Sequence, residues 1–132
     1  MARPTSEHPT ELELEILKIL WNTSPLSVRE VREHLEDQAD RSLTHSTVIT
    51  MLNIMHRKGY LKRKKVGKSF LFSPKINKTK VTGGMVGDLL SRVFEGSAEA
   101  MVLNLLETTD LDGEELAEIR KLINRKVREQ KK

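Results

Sequence analysis

Apolar positions recur at helical spacing from residue 12 onward. Leu12, Ile16, Ile19 and Leu20 share one helix face, and Leu14, Leu17 and Trp21 widen it. Thr10 and Glu13 have capping-box spacing, in which each side chain satisfies a backbone donor of the first turn, so a helix is predicted to open near Thr10 and to end across residues 22–25. Ser27 and Glu30 repeat that signal, and Val28, Val31 and Leu35 form a second buried stripe. Residues 37–41 are polar and are expected to form a loop. A third helix is predicted over residues 44–58, with Val48, Leu52 and Met55 at i, i+4 and i+7 and Met51 beside them. Gly59 follows the cationic turn Arg57 and Lys58, the place of a left-handed C-terminal cap.

The period then changes. Residues 61–66 and 69–73 are short strand candidates around Gly67, with Tyr60, Val66, Phe70 and Phe72 as β-formers and Pro74 as the stop. Three helices followed by a β-hairpin outline a winged helix-turn-helix. Pro25-Leu26-Ser27 is long enough for one bridging residue between the first two helices, and the sequence leaves that open. Beyond Pro74, residues 78–87 carry three glycines and are expected to form a linker or a helix start. Met85, Leu89 and Val93 recur at four-residue spacing in a helix over 81–94, with Val86 and Leu90 alongside, and Gly96 breaks it. Met101, Val102, Leu105 and Leu106 mark a short apolar helix over 98–107. Asp112 and Glu115 open a last helix with the stripe Leu116, Ile119, Leu122 and Ile123.

The predicted fold class is therefore mainly α with a small β-hairpin: a winged helix-turn-helix domain over residues 1–76 and a C-terminal helical dimerisation region over 77–132. A segment of about 55 residues buries too little of its surface to close a core alone. Its apolar stripes imply packing against a second copy, so a homodimer is expected through Met85, Leu89, Val93, Val102, Leu105, Leu106, Leu116, Ile119 and Ile123.

Charge sharpens this outline. Residues 41–80 hold eleven basic side chains and no Asp or Glu. The remainder holds 12 of the 23 basic residues and all 19 acidic ones, a net −7. A solubilising surface mixes signs, whereas this segregation is an electrostatic footprint for a polyanion. A solvated basic loop or an anionic membrane surface would also suit a charge run. The interleaved strand- and helix-formers show that the segment is folded rather than a polybasic tail.

Composition removes other classes. With no cysteine, a disulfide framework, a thiolate metal site and a Cys nucleophile are excluded. No uncharged apolar run approaches the roughly 18 residues needed to span a bilayer. Residues 1–10 are polar with two prolines, unlike a secretory signal, so a cytoplasmic location is expected. His8, His34, His45 and His56 show no convincing ligand spacing, and no nucleophile elbow, phosphate loop or dinucleotide fingerprint is present. Neither an enzyme nor a bound cofactor or metal is expected.

In a helix-turn-helix the second helix of the pair enters the major groove. Its outward residues here are Thr44, His45, Ser46, Thr47, Ile49, Thr50 and Asn53. Hydroxyls donate or accept, Asn pairs with adenine, and Ile49 or a Thr methyl can meet the thymine methyl. An ordinary exposed face would carry Glu and Lys, and this one has no carboxylate. Arg57, Lys62, Arg63, Lys64, Lys65 and Lys68 are the phosphate candidates, and strand alternation allows only some of the wing cations to face DNA.

These residues resemble a known family. The run from Thr10 to Trp21, then Ser27-Val28-Arg29-Glu30-Val31, is similar to the start of the penicillinase repressors, the BlaI/MecI/CopY family. Thr47-Val48, Leu52-Asn53 and Lys58-Gly59-Tyr60-Leu61 resemble its recognition helix and cap; Gly67, Phe70, Phe72 and Pro74 resemble its wing. Val102-Leu103-Asn104, followed by Leu111 and Glu115, resembles its dimerisation region, so the likeness covers about residues 10–125. The resemblance implies a bacterial transcriptional repressor that binds palindromic operators, often with TACA/TGTA half-sites, as a homodimer. Some members are cleaved after a membrane sensor protease is activated, at the position of Asn104 and Leu105. The chain departs from the family at Ile54-Met55, commonly Arg-Leu, and at Leu105, where staphylococcal members have Phe. Copper sensing through a cysteine cluster is excluded. The competing class is a winged-helix interaction module for RNA or an acidic protein partner.

Overall fold

A computed structural model of the chain describes residues 8–131. Most of the polar N-terminal stretch, residues 1–7, lies outside the described residues, as does residue 132. Two compact units part between Val86 and Gly87.

The first unit begins with α1 (Glu11–Asn22), where Thr10 and Glu13 form the predicted capping box. β1 (Leu26–Ser27) follows, then α2 (Val28–Ala39), opened by the reciprocal Ser27–Glu30 box. The loop expected over 37–41 is shorter than predicted. α2 continues through Ala39 because Asp40, at φ 52, supplies a left-handed stop that short polar side chains tolerate. α3 (His45–Arg57) is capped by Thr44, whose side chain accepts the Thr47 N–H. It ends in a Schellman motif: the Tyr60 N–H reaches the Met55 carbonyl and the Gly59 N–H that of His56, with Gly59 at φ 85.

β2 (Leu61–Val66) and β3 (Ser69–Pro74) form the wing. Val66 pairs with Ser69 across a two-residue loop with positive φ only at Gly67, the type II′ arrangement. The bridging strand that the sequence left open is present: Leu26 pairs with Phe72 and Ser27 with Leu71, making a three-stranded sheet ordered β1-β3-β2.

Twelve apolar side chains form one core, including Ile16, Leu17 and Leu20 of α1, Val31 and Leu35 of α2, and Val48, Leu52 and Met55 of α3. Leu26, Leu61 and Phe72 close it from the sheet. α1, α2 and α3 therefore bury the centre of the stripe that their sequence spacing defines. The Trp21 indole N–H donates to the Ile76 carbonyl (3.0 Å), tying the chain after the wing to α1.

α4 (Lys78–Phe94) starts earlier than the 81–94 expected. The Asn77 side chain accepts the N–H groups of Thr79 (2.7 Å) and Lys80 (3.2 Å), a cap that starts the helix ahead of its three glycines. The expected 76/77 boundary marks the approach to this helix, and the units part inside it. α4 ends at Glu95 and Gly96, both with positive φ. α5 (Ala98–Thr108) and α6 (Gly113–Gln130) follow, capped by Ser97 and Asp112. No residue of α4, α5 or α6 is buried.

Candidate nucleic-acid interface

The helix-turn-helix pair is held by a contact across its own turn and by ion pairs to α1. The Arg32 guanidinium donates to the Leu43 carbonyl (2.8 Å) across the turn, and Arg41 pairs with Glu15 and Glu11 of α1. Lys58, at the end of α3, pairs with Glu13 (2.8 Å), a residue only 1% exposed. Two of the eleven cations in the basic stretch thus join α2 and α3 to α1. Burial pushes the Glu13 carboxyl up, but the Lys58 ammonium and the Thr10 donors outweigh it and hold it below its ordinary value.

The fixed helix presents one open face. Thr44, His45, Ser46, Thr47 and Thr50 are exposed, and Ile49 and Asn53 are half-buried beside the wing. Thr44 already uses its hydroxyl as the cap and in a bond to the Thr47 hydroxyl (2.8 Å). No acidic residue lies in the first turn of α3, so its positive N-terminal dipole is not neutralised there.

Strand register sorts the wing cations. Arg63 lies opposite Phe72 and Lys65 opposite Phe70, so both share the face of the hairpin that carries the core aromatic. Lys62 and Lys64 occupy the other face, and Lys68 stands in the turn. Arg63 is held in place: its guanidinium lies 4.5 Å from the Phe70 ring centroid and Nη1 donates to Asn53 Oδ1 at 3.0 Å.

Between α3 and the wing runs a groove of about 500 Å³, lined by His45, Ile49 and Asn53 on one side and by Arg63, Lys68 and Phe70 on the other. Arg29 and Ser27 complete its wall. Nothing in the sequence singles out Arg29, because it sits among mixed charges on α2 and only the β1–β3 pairing brings it here. The geometry offers a neutral, hydrogen-bonding helix face flanked by cations. Such a surface has the chemistry to meet base edges with the helix and phosphates with the wing. Arg57 is exposed at the end of α3.

The expected dimer residues fall on three helices. Leu89 (43%), Val93 (61%), Val102 (42%), Leu105 (51%), Leu106 (43%), Leu116 (42%) and Ile123 (52%) are exposed, while Met85 and Ile119 are half-buried. The Asn104–Leu105 bond lies inside α5, where the Asn104 carbonyl accepts the Thr108 hydroxyl (2.7 Å). Among the described residues, no group of three or more His, Cys, Asp or Glu can hold a metal, and no helix is long and apolar enough to cross a membrane.

The chain is 32% identical over 114 residues to the penicillinase repressor of Bacillus licheniformis, covering 86% of this chain and 88% of that protein. It is 27% identical to the methicillin resistance regulatory protein MecI of Staphylococcus aureus (strain N315), covering 86% and 91%. The solution structure of the DNA-binding domain of the repressor BlaI is similar over 60% of this chain and 92% of that one, at 29% identity and a TM-score of 0.47. The sequence profile described as penicillinase repressor matches residues 9–125, and the chain belongs to the penicillinase repressor family.

Proposed function

We propose that this DNA-binding repressor acts as a homodimer on a palindromic operator and represses by occluding the promoter. The observation that carries the reading is the carboxylate-free face of α3 set beside the cation-bearing face of the wing. Thr47, Thr50, Asn53 and their neighbours on α3 read bases from the major groove; Arg29, Arg57, Lys65 and Lys68 neutralise phosphates. The exposed stripes of α4, α5 and α6 cover one another across a two-fold axis, which gives two recognition helices for two half-sites. The protein works in the cytoplasm and performs no catalytic step.

A membrane sensor protease system is a fitting inducer. Cleavage at Asn104–Leu105 would cut α5 and remove the dimer without touching α3. Because that bond is helical, α5 must unwind before a protease can accept it.

Selection from a library of randomised DNA duplexes with the purified full chain tests the function. The expected product is an enriched inverted repeat. Absence of enrichment, together with equal or tighter binding to RNA or to an acidic polypeptide, would replace this reading with an interaction module.

A further inference from the structure

Among the described residues, Arg63 is the wing cation whose side chain hydrogen-bonds to the recognition helix. Stacking on Phe70 holds its planar fork over a ring that itself packs against the core. A guanidinium has five donors and no acceptor, so the atom of Asn53 turned toward it is the carbonyl oxygen. An asparagine without such a partner can turn its amide over and offer either end to a base. With Oδ1 turned toward the guanidinium, the amide of Asn53 is fixed in one orientation, and its Nδ2 donors are turned away from Arg63.

The major-groove edges differ in what they can return to a donor. Purine N7, guanine O6 and thymine O4 accept, whereas the cytosine N4 amino group only donates. We propose that Arg63 is a positioning residue for specificity: by holding the Asn53 carbonyl, it commits Asn53 to the donor end and so to an acceptor-bearing base, against cytosine. The proposal rests on the DNA-binding reading above and adds to it the direction of one base contact. It also gives Arg63 a role other than neutralising phosphate, and it couples the wing to the recognition helix through the Phe70 platform.

The test uses the full chain and a randomised duplex library, with Asn53→Ala, Arg63→Met and the double variant beside the natural protein. Base preference is scored position by position, and the salt dependence of affinity is measured on the best duplex. The natural protein is expected to disfavour cytosine at one position in each half-site. Both single variants should relax that same position by about tenfold, the scale of a single base-edge interaction. The double variant should relax it no further than Asn53→Ala alone. Arg63→Gln, whose amide can present either end, repeats the result if the Met variant melts early.

The inference is overturned if Arg63→Met weakens all duplexes alike and lowers the salt slope by one phosphate while leaving the Asn53 position unchanged. Additive effects of the two variants, or selection of cytosine at the Asn53 position, would overturn it too. If the natural protein enriches no sequence at all, the DNA-binding reading fails and takes this inference with it.

Discussion

Glu13 performs two tasks with one carboxylate. One oxygen accepts the Thr10 N–H in the capping box and the other pairs with Lys58 at the end of α3. Its pKa is depressed by folding from the ordinary 4.5, so its contribution is present above that value and is lost as pH falls through the lower folded value. Glu13→Gln keeps a side chain that can close the capping box and removes the charge. It should cost about 1.5–3 kcal/mol at neutral pH, the scale of a hydrogen bond to a charged group. Thermal melts of both proteins across the acid range check this: the gap should close as pH falls below the carboxylate range, and a gap that persists there contradicts the role of the ion pair. The wing cations permit a second residue-level prediction. Lys65→Ala and Lys68→Ala should each flatten the log–log salt dependence of DNA binding by about 0.9 for each phosphate no longer neutralised. Lys62→Ala and Lys64→Ala, on the opposite strand face, should change it less. Equal slopes for all four variants would show that register does not sort them.

At the scale of elements, α4 is the helix whose sequence argues against it. Gly83, Gly84 and Gly87 each weaken a helix by roughly 1 kcal/mol relative to alanine. A Cβ at Gly83 or Gly87 would meet nothing within 4 Å, whereas one at Gly84 would lie 3.3 Å from the His8 ring. Gly83→Ala and Gly87→Ala should therefore each stabilise the fold by about 0.4–1 kcal/mol, and Gly84→Ala should gain less. Denaturant titrations would show the order, and destabilisation by the first two would mean that α4 is not helical there. The same helix marks the limit of what the sequence shows by itself. Stripes such as Val48, Leu52 and Met55, and boxes such as Thr10–Glu13, are local codes and are legible directly. Asn77 as a cap is legible in principle, but the glycines behind it suggest a linker. β1 stays open in the sequence because two residues become a strand only when Phe72 and Leu71 arrive to pair with them. The Glu13–Lys58 and Arg41–Glu15 pairs join residues 45 and 26 apart, and no spacing rule announces them. The basic stretch is visible as charge, but its division into cations that fasten helices and cations that line the groove requires the fold.

For the whole molecule, the contrast between the winged-helix core and the C-terminal helices carries the argument. The core has twelve buried apolar residues, and no residue of α4, α5 or α6 is buried while their apolar stripes stand open. Exposed stripes of this kind mark an interaction surface. Leu105→Asp together with Leu106→Asp should turn the proposed dimer into a monomer in sedimentation equilibrium while α1, α2 and α3 keep their fold. Joining two binding units makes the second contact intramolecular, so the monomer should lose about 10²- to 10⁴-fold in affinity for a full palindrome. A double variant that remains dimeric would place the interface elsewhere. The most direct test of the account is a fluorescence anisotropy titration of the full chain against its selected duplex, an otherwise identical duplex with one half-site scrambled, and a fully scrambled duplex. Binding of two protomers to the intact repeat, a steep loss on scrambling one half, and only salt-sensitive background on the fully scrambled duplex are the predicted results. Equal affinity for all three duplexes would contradict a dimeric, sequence-reading repressor.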